Sequence, residues 1–476
     1  MDNSSVKWSA LVAATLAAFL PPFMGSSITI ALPSIGNEFA LDAVALSWVA
    51  TSYLLAAAMF LVPFGRLADI HGRKKVFAYG TLIYTLSSFL SAIAPSAVSL
   101  IAFRILQGIG SAMIYGTGVA ILTAVFPAGE RGKVLGWNTA GVYTGLSVGP
   151  VLGGFLTEQW GWRSIFLANI PLGLIIIAFV LWKLKGEWAS ADGERFDLAG
   201  SVVLGLSLVA LMSGFSLLPD PLAVWLVLAG LGGIVAFVVQ ETKTENPVLN
   251  LDLFRQSPTF AFSNLAALIN YSATAAVGFL LSIYLQYING MDPETAGFAL
   301  VSQPIVMAVF SPLTGWLSDR IEPRIVASIG MALTVVGLAL FTLLDGQTTL
   351  VFIEASLIFI GLGFALFSSP NTNAVMSSVE KRHLGIAAAT LGTMRLTGQM
   401  LSLGIAALIF ALTMGRVQIA PENYPLFLSA LQIAFLIFAV LCAGGIVASL
   451  VRGRVRPMGP VGQSHKFPEE RNSLSN

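Results

Sequence analysis

Fourteen long apolar segments, separated by short polar or Gly/Pro-rich breaks, constrain this chain more than any other feature of its sequence. They lie near 10–33, 45–64, 76–95, 98–126, 134–156, 164–182, 198–218, 222–239, 259–287, 296–317, 325–344, 350–369, 384–413 and 426–451. A helix needs about 20 apolar residues to cross a bilayer, and in lipid only a helix or a closed barrel satisfies its own backbone hydrogen bonds. Segments of this length read as helices. Only 10% of the 476 residues are charged, against about 25% in a soluble domain, so the chain cannot clothe itself in water. The expected class is an all-α integral membrane protein with fourteen transmembrane helices, embedded in the lipid bilayer.

Lys and Arg set the expected orientation. With the N-terminus in the cytoplasm, 21 of the 25 fall on the cytoplasmic side; only Arg163 and Arg416 fall outside, while Arg104 and Arg395 lie within spans. Both termini are then cytoplasmic and the protein sits in the cell (inner) membrane. The short polar start, Met1–Ser9, does not read as a cleaved signal. The tail, Arg452–Asn476, reads as a disordered end. A net charge of +1 gives nucleic acid nothing to bind. The single cysteine, Cys442, and the scattered His71, His383 and His465 leave no metal cluster. No Walker-type loop or His/Glu metal-protease pattern occurs, and the longest loops are about 20 residues. An enzyme is not expected, nor any cofactor.

The chain repeats itself. Gly65-Arg66-Leu67-Ala68-Asp69 follows the second span, and Gly315-Trp316-Leu317-Ser318-Asp319-Arg320 follows the tenth. The repeat predicts two six-helix bundles, 1–197 and 240–451, with two inserted helices at 198–239 and a cytoplasmic tail at 452–476. Parallel halves of this kind are what transporters use for alternating access, with the substrate between them.

Three motifs carry candidate chemistry. The first runs Gly65-Arg66-Leu67-Ala68-Asp69-Ile70-His71-Gly72-Arg73-Lys74-Lys75. Its Gly65 and Gly72 permit close approach and a sharp turn, and Asp69 can hold Arg73 or helix-end N–H groups as a latch. The alternative is a basic loop with one capping Asp. The second places Arg104 inside a span with Gln107 one turn on. A membrane Arg costs about 2.5–3.5 kcal/mol on insertion scales, so it either faces a partner or cavity, or snorkels outward. The third is Gly136, Gly145, Gly149-Pro150 and Gly153-Gly154. Small residues at such spacing make a flat face for close packing, and Pro150 bends the helix, so the run is either a hinge or ordinary small-residue packing.

These motifs resemble the signatures of the major facilitator superfamily. The glycine run resembles the antiporter motif of its fifth helix. The fourteen spans, Trp160-Gly161-Trp162-Arg163-Ser164-Ile165-Phe166 and Phe196-Asp197-Leu198-Ala199-Gly200 are similar to the fourteen-helix drug:proton antiporter branch. The resemblance implies a major facilitator fold and proton-coupled efflux of small amphipathic compounds by a monomer. Its partners would be a small-molecule substrate and protons. Asp69 and Arg73 would belong to a cytoplasmic gate, Arg104 to a proton relay, and Gly145, Gly149 and Pro150 to conformational coupling. One departure stands out. Met24 occupies the place in span one where that branch often carries an acidic residue. This keeps open a specific exporter of a metabolite, siderophore or lipid, and a facilitator without proton coupling.

Glu354 is then the remaining acidic residue placed within a span, about 4–5 residues or roughly 6–8 Å from its outer end. It is either a titrating group or an interfacial one. Arg395 lies nearer the midplane with Gln399 one turn on. A membrane cation without an acidic partner suits an anionic or strongly polar substrate group, or bonds to carbonyls. Asn138, Tyr143, Asn270, Tyr271, Tyr284, Gln286 and Gln303 are polar candidates for a cavity, and Met24 and Phe23 offer soft apolar surface to it. The insert helices read as bracing that faces lipid.

Overall fold

The computed structural model describes residues 3–184, 186–188, 196–244, 247, 249, 251–318, 320–380, 384–415 and 417–453. It is built of helices, and no strand occurs among the described residues. In chain order these are α1 (Asn3–Phe39), α2 (Ala43–His71), α3 (Arg73–Ala92), α4 (Ala97–Val125), α5 (Ala128–Trp160), α6 (Arg163–Trp182), α7 (Leu198–Leu217) and α8 (Pro221–Glu241). After the short α9 (Asp252–Gln256), α10 (Pro258–Thr274) and α11 (Ala276–Ile283) run on through a π-helical turn, Tyr284–Ile288. Next come α12 (Pro293–Leu300), α13 (Ser302–Ser318), α14 (Pro323–Phe341), α15 (Leu350–Ser377), α16 (Leu384–Thr413) and α17 (Tyr424–Val451).

Twelve helical rods are long and apolar enough to cross a membrane by length and composition. By this measure the count of fourteen read from the sequence is not reached. The two that fall short are α3 and α5, and the cause is polarity. α3 opens on Arg73-Lys74-Lys75 and carries Thr81, Thr85, Ser87, Ser88 and Ser91, all buried against protein. α5 carries Glu130, Asn138, Thr139, Thr144, Ser147, Thr157, Glu158 and Gln159.

Interior contacts are set by small residues. α1 and α5 run parallel with their backbones nearly touching. A Cβ added at Gly141 would meet Thr15 O at 2.8 Å, one at Gly145 would meet Phe19 O at 2.6 Å, and one at Gly153 would meet Ser27 Cα at 2.6 Å. On the opposite side α5 meets α12: a Cβ at Gly154 would lie 2.5 Å from Pro293 O, and one at Gly297 would collide with Pro150 O. α5 is therefore wedged between the first helix and the twelfth, and only side-chain-free positions allow it. α2 crosses α4 at Gly65 and Gly116, and α10 runs beside α16 where Gly398 meets Leu268 O.

The insert packs in two layers. α7 lies across α2 and α16, with Gly205 against Met59 and Met212 against Gly404. Leu208, Leu211 and Met212 share one apolar cluster with Leu55, Leu61, Leu396 and Met400. α8 packs on α7 and turns Trp225, Leu228, Leu231 and Val235 outward. α7 thus braces the seam between α2 and α16, whereas α8 presents the apolar outer face expected of a lipid-facing helix.

Arg452, the residue after α17, is fully buried, with Nη1 donating to Asn371 Oδ1 at 2.8 Å and its carbonyl accepting from Thr259 Oγ1 at 2.8 Å. Residues 454–476 of the expected tail lie outside the described residues.

Candidate functional site

Two arginines sit deep within the helices, and their surroundings differ. Arg104 of α4 is 1% exposed. Its Nε donates to Val49 O at 3.1 Å and its Nη1 to Gln107 Oε1 at 2.5 Å. Gln107 Nε2 passes the chain on to Ser88 Oγ at 2.8 Å. The Tyr53 ring lies 4.4 Å from the guanidinium carbon, within cation–π range, and Tyr53 donates its hydroxyl to Ser111 at 2.7 Å. This cation is spent on protein groups of α2, α3 and α4. Gln107, fully buried in the same network, does not face open space. No carboxylate forms an ion pair with Arg104 among the described residues.

Arg395 of α16 is half-buried. Its Nη2 donates to Thr372 Oγ1 of α15 at 2.6 Å. Thr372 in turn donates its own hydroxyl to Ser368 O at 2.7 Å, which leaves a lone pair for Arg395. The Tyr271 ring of α10 lies 5.7 Å from the guanidinium carbon. Nε has no acceptor. Tyr271 stands edge-on to Phe364 with centroids 5.2 Å apart, and the pair clusters with Met307 of α13 and Tyr143 of α5. Five helices therefore bring one cation, two hydroxyl-bearing rings and soft apolar groups together. Thr372, Phe364 and Met307 did not stand out in sequence. The available signal for Thr372 was the polar run Ser368-Ser369-Pro370-Asn371-Thr372-Asn373, which reads as a helix break but continues as helix to Ser377.

The remaining cavity candidates scatter. Met24 is fully buried on α1, where Asn169 Nδ2 of α6 donates to its sulfur at 3.3 Å. Asn138 is a strut between α5 and α1, donating to Ala14 O at 3.0 Å. Asn270 is fully buried on α10 and faces Cys442 of α17. Gln286, in the π-helical turn, donates to Ile30 O at 2.9 Å and to Ser282 Oγ at 3.0 Å, which ties that turn to α1. Tyr284 donates to Asp345 O at 2.6 Å near the end of its rod. Gln303 and Gln399 are half-buried. Met24, Gln107 and Asn138 are buried and bonded to neighbouring groups, whereas the buried amide nitrogen and oxygen of Asn270 have no hydrogen-bond partner among the described residues.

Glu354 sits half-buried in the second turn of α15, with no hydrogen bond or ion pair among the described residues. It precedes Thr372 on the same helix by eighteen residues, about 27 Å along the axis. α4 packs on α1, α2, α3 and α5, and α15 on α10, α12, α13, α14 and α16. Neither arginine is therefore brought to Glu354.

At the face where α1 begins, Asp69 accepts from Arg73 Nε at 2.8 Å and pairs with its Nη2 at 2.7 Å. Arg73 Nη1 also reaches Ala120 O of α4 at 3.2 Å. Gly72 takes φ +110° at this turn, a conformation that favours glycine. A strap the sequence did not reveal folds over it: Glu187 accepts from the Lys74 backbone N–H at 2.8 Å, and Arg73 N–H donates to Trp188 O at 2.9 Å. Of the repeated motif, Arg320 lies 3.9 Å over the Trp316 ring, and Asp319 lies outside the described residues. On the opposite face Glu38, Trp162 and Arg163 join the ends of α1 and α6, with Arg163 Nη2 to Glu38 at 2.6 Å.

Pro150 lies inside α5 beside the hydroxyls of α1. Ser27 donates across the seam to Gly149 O at 2.9 Å and Ser26 to Gly145 O at 3.3 Å, while Ser26 also bonds Pro22 O of its own helix at 2.8 Å. A Cβ at Gly149 would collide with Ser26 Oγ, whereas one at Gly136 would meet nothing within 4 Å.

Comparison with known proteins bears on these helices. The sequence profile described as Major Facilitator Superfamily matches residues 14–239 and 264–475. The chain is 27% identical over 444 residues to the riboflavin transporter RibZ of Clostridioides difficile, covering 93% of this chain and 97% of that one. It is 33% identical over 414 residues to the cephamycin export protein CmcT of Amycolatopsis lactamdurans, covering 85% of each. Its fold matches the crystal structure of a bacterial homologue of the human lysosomal transporter Spinster, inward-facing and unoccupied. There the TM-score is 0.66 at 17% identity, covering 94% of this chain and 97% of that one.

Proposed function

Because the chain belongs to the major facilitator superfamily, we propose that it exports small amphipathic compounds by alternating access, in exchange for protons entering from outside. Membrane transport by a multi-pass protein, not enzymatic chemistry, follows from the family itself. The finer reading rests chiefly on α5. Its Gly145, Gly149 and Gly153 touch α1 and its Pro150 and Gly154 touch α12, so a rocking motion between bundles loads this proline-bearing helix, together with the α2–α16 seam. The similarity to a cephamycin export protein supports the outward direction.

In this reading the moving bodies are 1–197 and 240–451, with 198–239 as a brace, 452–476 as the tail and both termini cytoplasmic. α3 and α5 also cross the bilayer, which makes fourteen helices of the drug:proton antiporter type. In support, α3 turns a helical stripe of Tyr79, Leu82, Leu86, Phe89 and Ile93 outward, as a lipid-facing helix does. Asp69 and Arg73, with Gly65 and Gly72 and their counterparts Asp319 and Arg320, form the cytoplasmic gate. The part-buried Asp69–Arg73 pair sits at a helix end within reach of water and contributes about 1 kcal/mol or less to stability. Asp69→Asn is therefore expected to leave the folded yield unchanged and to slow export in proteoliposomes; a normal rate would reduce Asp69 to a helix-end residue.

Proton uptake is assigned to Glu354, with Arg104 acting through the helices rather than by contact. The test is purified protein in liposomes loaded with a pH-sensitive dye under an imposed proton gradient. Substrate-dependent proton release is expected from the natural chain and its loss from Glu354→Gln, with the variant still folded. Unchanged coupling in the variant would remove Glu354 from the mechanism. A second reading, a specific transporter without proton coupling, is favoured by Met24, whose buried sulfur stands where an acid was expected. It is also favoured by the similarity to a riboflavin transporter. Compound crossing with no proton movement would establish it.

A further inference from the structure

We propose that Arg395 is the recognition group of the substrate site and that it selects aromatic anions: compounds carrying a carboxylate or comparable monoanion on a flat ring. The inference rests on the transport reading above and names the substrate class for it.

The argument begins with what a membrane cation requires. A guanidinium carries five N–H donors and remains charged, and its burial without partners is costly. Arg104 meets this requirement within the protein, through Val49, Gln107 and the Tyr53 ring. Arg395 does not. Its one protein acceptor is Thr372, at 2.6 Å. Nε has no acceptor, and Nη1, which has none either, is not sealed from its surroundings. No Asp or Glu pairs with it among the described residues. On α15 the one acid, Glu354, lies eighteen residues or about 27 Å along the axis from Thr372, and Glu380, beyond the helix end, forms no ion pair with Arg395. The positive charge is thus uncompensated where Tyr143, Tyr271, Met307 and Phe364 gather.

The second element is the wall. Tyr271 and Phe364 are set edge to face and form an aromatic wall beside the guanidinium, of the kind a planar ring packs against. Met307 adds a deformable surface. The planar fork of Arg395 matches the two oxygens of a carboxylate. The Thr372 hydroxyl, held by Ser368 O, fixes the fork from behind. The same arrangement repels a cation, because no carboxylate stands in the cluster to receive one. Lysine at this position would supply charge without the fork.

Three matched probes separate the possibilities: naphthoate, neutral naphthamide and naphthyltrimethylammonium. Binding is measured on detergent-purified protein and transport in proteoliposomes. The natural chain is expected to bind naphthoate about 10- to 100-fold more tightly than naphthamide, and the ammonium more weakly than both. Arg395→Gln should bring naphthoate down to the level of naphthamide. Elution as a single species and unchanged thermal survival in detergent certify that the variant is folded. Arg395→Lys should restore part of the preference. Tightest binding of the ammonium, or a naphthoate preference untouched by Arg395→Gln, overturns the proposal. Transport without charge preference leaves export standing and removes the site. Arg395-dependent binding of naphthoate with no transport of any probe keeps the site and removes the export reading.

Discussion

Gly145→Ala is expected to destabilise the protein by about 1–3 kcal/mol, the usual cost of overpacking, and Gly145→Leu to leave no folded material. The new Cβ would lie 2.6 Å from Phe19 O and 3.0 Å from Phe23 N. Both obstacles are backbone atoms of α1, so no side chain can rotate out of the way. Gly136→Ala belongs to the same glycine run but places its Cβ in open space. It is expected to be neutral, or slightly stabilising through the helix preference of alanine. The measurement is the fraction of each variant that survives heating in detergent and still elutes as a single species. Equal behaviour of the two alanine variants would show that the α1–α5 contact is looser than described.

Arg104→Gln should be nearly as damaging, for a different reason. Removing the guanidinium orphans the Gln107 amide oxygen inside a sealed region, at about 1–3 kcal/mol for a buried group left without a partner, and also takes away the cross-helix bond to Val49 O, which keeps its own helical N–H. Arg104→Lys keeps the charge but presents no planar fork for both acceptors and the Tyr53 face, so it should rescue only part of the loss. The decisive comparison is Arg395→Gln, made at an arginine with a single protein acceptor. That change should scarcely alter thermal survival. If Arg104→Gln folds as well as Arg395→Gln and fails only in transport, then Arg104 is a functional relay and its network contributes little to stability.

These paired contrasts mark what the sequence could reveal. The membrane class was legible because long apolar runs with few charges have no other solution in lipid. The intramembrane arginines were legible as anomalies for the same reason. What separates Arg104 from Arg395 was not, since the partners of Arg104 include a backbone carbonyl, which has no residue signature. Gly136 and Gly145 look alike in a spacing pattern, and only the path of α1 distinguishes them. Met24 and Asn138 read as cavity candidates and make contacts to a neighbouring helix, because a side chain that is polar or soft serves either purpose. Thr372 was hidden by Pro370, which signals a break that the long α15 absorbs. The polar face of α3 lowered its apolarity for a tertiary reason: its serines and threonines are turned inward to α4 and α6.

The burial of Cys442 has a practical consequence. It is the one cysteine of the chain, it is 0% exposed, and its thiol faces Met331 O at 3.6 Å. The natural protein therefore presents no reactive thiol to a maleimide or a spin label. A pair of cysteines placed at exposed positions can be labelled without first engineering the background. Label pairs spanning α1 and α5 should keep a fixed separation, and pairs spanning α4 and α15, which share no packed interface, should report any rocking as a change in distance.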